Sequence, residues 1–137
     1  MKKNNFLLIL CLTLIGCSQI FAQKKCKSSY DSVIKRTVFI TAEDLPTFPG
    51  GKVAMMKYLR ENFIYTDRES GQNRFIVEFV VNEDGMVVGE RIRSKEPKDI
   101  SEVESELLKV VASMPKWNPA KCNGAYVPFR LIIPINY

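Results

Sequence analysis

Between Arg74 and Val81 the side chains alternate, Phe75, Val77, Phe79 and Val81 on one face and Ile76, Glu78, Val80 and Asn82 on the other. That period of two predicts a half-covered antiparallel strand. Asn82-Glu83-Asp84-Gly85 makes a tight turn with Gly85 at positive φ, and Met86 to Arg93 returns as the second strand of a hairpin. Elsewhere the apolar spacing is three and four. Val53, Met56, Leu59 and Phe63 predict a helix over 52–63. Ile100, Val103, Leu107, Val110, Val111 and Met114 predict another, opened by an Asp99/Glu102 capping box and stopped by Pro115.

Thr37 to Glu43 is β-branched and aromatic enough for a strand, whereas 45–51, with two prolines and two glycines, must be a loop. In the connector Lys116 to Gly124 the only large apolar group is Trp117, expected to plug the end of the core. Val127 to Tyr137 then alternates without error, with Val127, Phe129, Leu131, Ile133 and Ile135 opposed to Pro128, Arg130, Ile132, Pro134 and Asn136. The order strand, helix, hairpin, helix, strand predicts an α+β domain, two helices packed on one face of a small antiparallel sheet.

The N-terminus changes the setting. Met1-Lys2-Lys3 followed by the apolar run Phe6 to Gly16 reads as an export signal, too short and interrupted for a membrane span. Two processing routes stay open: cleavage after Ala22, or a lipobox at Leu14-Ile15-Gly16-Cys17 that ends the signal at residue 16 and puts lipid on Cys17. Residues 23–36, polar and without periodicity, read as a tail or linker, leaving 37–137 as the domain. Export implies an oxidising compartment, the periplasm, where Cys26 and Cys122 can pair. Closing that loop of about 95 residues would contribute up to ~4.7 kcal/mol.

Composition removes several function classes. The net charge of +5 loses two with Lys2 and Lys3, leaving a mild +3, and no basic stripe is interleaved with aromatics, so nucleic-acid binding is disfavoured. The chain has no histidine, which argues against general acid–base catalysis, and two cysteines alone leave little for a metal; no cofactor is expected. Glu102, Glu104 and Glu106 stand at two-residue steps, which scatters them over an exposed helix surface.

The last strand carries the candidate chemistry. Residues of one parity send their backbone groups to the same neighbour, and Pro128 and Pro134 share parity. Proline has no N–H, so the flank they face reads as a sheet edge. Arg130 and Ile132 lie between them, and the candidate partner-binding strand is Pro128, Phe129, Arg130, Leu131, Ile132, Ile133 and Pro134. An extended peptide could add there through main-chain bonds. Prolines and an arginine also blunt an edge against aggregation, and both readings stand.

Phe48-Pro49-Gly50-Gly51, a helix ending at Tyr65, Val77-Glu78-Phe79-Val80-Val81, the Asp84-Gly85 turn and Met114-Pro115-Lys116-Trp117-Asn118-Pro119-Ala120 together resemble the C-terminal domain of TonB-type energy transducers, especially Bacteroidota forms. The resemblance covers roughly 37–137 as a stand-alone domain. It implies a β-α-β-β-α-β fold and, as partner, the TonB-box peptide of outer-membrane TonB-dependent receptors in transmembrane transport. Inner-membrane motor proteins would join only if the N-terminal segment stays uncleaved as an anchor. The linker of about 14 residues spans at most ~50 Å, short for a bridge between two membranes. The alternative is an envelope adaptor, a decoy or a homodimer formed through the terminal strand, without energy transduction.

Overall fold

In the computed structural model the described residues are 26–64 and 74–136. The strands are β1 (Lys27–Asp31), β2 (Arg36–Thr41), β3 (Arg74–Val81), β4 (Val87–Ile92), β5 (Ala120–Cys122), β6 (Ala125–Val127) and β7 (Phe129–Asn136). The helices are α1 (Gly51–Asn62) and α2 (Glu102–Ala112), with a single 3₁₀ turn at Pro97–Asp99. The architecture is α+β. One mixed sheet has the order β1-β2-β7-β3-β4, and β5 and β6 form a small separate sheet. The all-antiparallel expectation is corrected, because β2 runs parallel to β7.

One core joins both helices to one face of the sheet. Met55 and Leu59 of α1 and Leu107 and Val111 of α2 pack with Val77, Phe79, Val81, Ile92 and Ile135. Trp117 closes its end as expected, standing edge-on to Phe48 and Phe79 at centroid distances of 5.5 and 5.6 Å. A Cβ on Gly85 would lie 2.1 Å from the Trp117 carbonyl oxygen, and φ there is +83°. The β3–β4 turn therefore needs glycine for close approach as well as for its backbone conformation.

Several local expectations are corrected. The buried stripe of α1 runs through Met55, Leu59 and Phe63, while Val53 is 83% exposed. The spacing from Val53 was helical, but the helix is turned so that its methionines meet the core. Ser101, not Asp99, caps α2: its side chain accepts from the Glu104 amide, and Glu104 accepts from the Ser101 amide. Pro97 draws Asp99 into the 3₁₀ turn and moves the cap two residues on. Glu104 is accordingly buried and accepts from Lys95 at 2.7 and 2.8 Å, rather than lying on an exposed surface.

Two longer segments also differ. Residues 27–36 are not a tail: β1 pairs antiparallel with β2 from Lys27↔Thr41 to Asp31↔Arg36. Burial of Val38 and Asp31 supplies what the polar composition concealed. The terminal strand is not continuous from Val127, because Pro128 breaks it. Ala125–Val127 folds back on Ala120–Cys122, part of the expected connector, and Phe129–Asn136 alone enters the main sheet.

Candidate functional site at the last strand

On one side β7 is fully engaged. Eight antiparallel pairs, from Arg74↔Asn136 to Val81↔Phe129, bind it to β3. On the other side β2 joins it at a single parallel position, Phe39↔Phe129, where the Phe39 amide donates to the Pro128 carbonyl at 2.8 Å. In a parallel bridge the groups that face the partner belong to the residues flanking the bridged one, here Pro128 and Arg130. The even-numbered residues of β7 thus address this flank. Pro128, Arg130, Ile132 and Pro134 share it, and Phe129, Leu131 and Ile133 address β3.

The flank is therefore not an open edge along its whole length, which corrects the sequence expectation. Its first part belongs to β2, a strand extended by the unexpected hairpin. Beyond Phe129, no strand among the described residues pairs with β7 on this side. Side-chain exposure follows the same division. Ile132, in mid-strand, is 42% exposed, and its neighbours Leu131 and Ile133 are only half-buried. A further strand laid beside Ile132 to Asn136 would cover all three. Ile132 and Asn136 supply its N–H donors, and Pro134 supplies only a carbonyl.

The Arg130 side chain points into a charged cluster behind the sheet. Asp31, 1% exposed, accepts from Arg91 Nη2 at 2.8 Å and from Arg130 Nε and Nη2 at 3.2 and 3.1 Å. Its other oxygen accepts from the amides of Val33 and Ile34 at 3.0 and 3.4 Å. Glu78 completes the group, paired with Arg91 and, at 3.4 Å, with Arg130. A flat sheet would hold β1 about 19 Å from β4, four strand spacings away. The Asp31–Arg91 contact shows instead that the β1–β2 hairpin curls across the back of the sheet. At its tip Ile34 sits where a Cβ on Gly89 would be, 2.5 Å from Ile34 Cγ2.

Burial by itself would raise the Asp31 pKa. The Arg91 hydrogen bond and the two turn amides outweigh it, and the carboxyl ionises below its ordinary range. Asp31, Glu78 and Arg91 were not singled out from sequence. Parity offered part of the signal, since Glu78 and Arg130 both lie on the back-facing rows of their strands.

Cys26 and Cys122 form a disulfide with a Cα–Cα distance of 6.2 Å. It ties the start of β1 to the end of β5. Glu43 lies beside the two sulfurs, but their bond leaves no thiolate there for a metal. Cys17 and the expected signal lie outside the described residues. Among those described, no helix is long and apolar enough to cross a membrane.

Comparisons with family models, with curated proteins and with solved structures return no match. The functional reading rests on the geometry and on the motifs of the chain.

Proposed function

We propose that this chain is a TonB C-terminal-like binding module of the periplasm, taking an extended segment of an outer-membrane TonB-dependent receptor by β-strand addition. The observation that supports it is the second flank of β7, where Leu131, Ile132 and Ile133 are incompletely covered and no described strand lies beyond Phe129. Main-chain bonds to Ile132, Pro134 and Asn136 would give affinity, and alternate guest side chains would fall beside Ile132 on one face and Leu131 and Ile133 on the other. Arg130 holds Asp31 rather than reaching for the guest, so Ile132 becomes the central residue of the site.

The test is an NMR titration of the exported chain with TonB-box peptides from receptors of the same cell. The amides of Ile132 and Asn136 are expected to shift, while Leu107 and Val111 in α2 stay still. Ile132→Pro, which removes a donor at an extended position, should abolish the response with the fold retained. Peptides that leave Ile132 unmoved at millimolar concentration would sink the proposal.

A further inference from the structure

The β1–β2 hairpin competes for the flank just described. β2 occupies the place beside Phe129 that the first residues of a longer guest would take, and Phe39 packs there with the apolar group that includes Phe129 and Leu131. Its backbone hold on β7 is a single bridge, supplemented by the Arg130 side chain, which donates to Asp31 at 3.2 and 3.1 Å. Ion pairs hold its tip, Asp31 to Arg91 and Arg130 and Arg36 to Glu83, and at its base both legs are fastened to adjacent residues of β5. The first leg is bonded through Cys26 to Cys122. The second is held where the Glu43 and Asp44 amides donate to the Lys121 carbonyl at 3.1 and 3.3 Å and the Lys121 amide donates to Asp44 at 3.0 Å.

From this arrangement we infer that the hairpin is a redox-controlled strap that masks the first part of the β7 flank. A loop fastened at both feet cannot swing away from the strand it crosses. With the Cys26–Cys122 bond broken that covalent restraint is lost, and the hairpin can hinge about residues 42–44. The step is thiol–disulfide exchange with a dithiol. One thiolate of the reductant attacks a sulfur of the Cys26–Cys122 bond, its second thiol displaces the mixed disulfide, and the protein is left with two thiols and the reductant with a disulfide. Val38 and Asp31, both buried, still favour the closed hairpin after reduction. Reduction therefore raises the population of the open form without making it dominant. The open form adds the Pro128 carbonyl and the Arg130 amide to the groups available for a guest, and clears the space of Phe39. This assignment deepens the strand-addition reading and rests on it for its purpose, though not for its detection.

Hydrogen exchange followed residue by residue on the intact chain tests it, with and without dithiothreitol, and with Cys26→Ser as a reductant-free equivalent. The Phe39 amide is expected to exchange at least about tenfold faster in the reduced and Cys26→Ser proteins, while Leu107 and Val111 in α2 keep their rates. A synthetic peptide carrying residues 36–41 should shift Phe129 and Arg130 in the reduced protein and leave the oxidised protein unchanged. An unchanged Phe39 rate overturns the strap. So does equal acceleration of Phe39 and the α2 amides, since the disulfide would then be stabilising the whole fold. If receptor peptides fail at Ile132 in both redox states while Phe39 still accelerates, the strap stands and the receptor reading falls.

Discussion

Replacing Asp31 by alanine removes the carboxylate that ties the hairpin tip to Arg91 of β4 and Arg130 of β7. Its side chain accepts from two arginines and two backbone amides, all inside the fold. Breaking a buried ion pair by deleting one partner costs about 3–5 kcal/mol, because the remaining charge is left without compensation. Here the arginines keep about a fifth of their side-chain surface and retain Glu78, so the expected loss lies near ~3 kcal/mol. Against a total of roughly 5–15 kcal/mol that is a large fraction. It corresponds to a fall in Tm of more than about 10 °C for a domain of this size. Urea unfolding at pH 7 should show a lower midpoint with little change in slope. The pH dependence gives a second check. The folded-state pKa is lowered, so the contribution is complete above the unfolded value near 3.8 and is lost as pH falls through the folded one. The difference between wild type and Asp31→Ala should therefore begin to shrink near pH 3.8 and close only well below it. A loss under about 1 kcal/mol at pH 7, in the range of surface pairs, would refute the account of a buried clamp.

Glu104→Ala removes the reciprocal half of the α2 cap and the partner of Lys95; a loss of about 2 kcal/mol is expected in urea unfolding at neutral pH. Burial alone would raise the Glu104 pKa, but bonds from Lys95 and Ser101 lower it, so the difference from wild type should vanish as pH drops well below 4.5. Gly85→Ala sets a methyl against the Trp117 carbonyl at positive φ, whereas Gly124→Ala has the same sign of φ and open space around it. Thermal unfolding should show roughly 1 kcal/mol lost for Gly124→Ala and clearly more for Gly85→Ala. Equal losses would mean the turn shifts freely.

Periodicity carried most of the fold where one face of an element met one core. Arg74–Val81 has the expected bounds, and Trp117 plugs the core between Phe48 and Phe79. The failures share a cause. Lys27–Asp31 is polar because its outer flank and much of its surface meet water, so only its pairing with β2 and the Asp31 clamp reveal a strand. The Val53 spacing was helical but silent about which side of α1 faces inward. At the site, the two prolines gave the parity of the β7 flank from sequence alone. The single bridge from Phe39 was invisible, because nothing local to Thr37–Thr41 says whether it lies parallel or antiparallel to a strand ninety residues on.

The length of the β3–β7 ladder has a mechanical consequence. β7 shares eight residue pairs with β3 in unbroken register. Tension applied along β7 loads those bonds in shear, and they resist together until the strand slides as a whole. Tension applied across it would peel them one pair at a time, beginning at Asn136. Any load handed to β7 by a strand lying alongside arrives in the first direction, the one in which this sheet is hardest to pull apart.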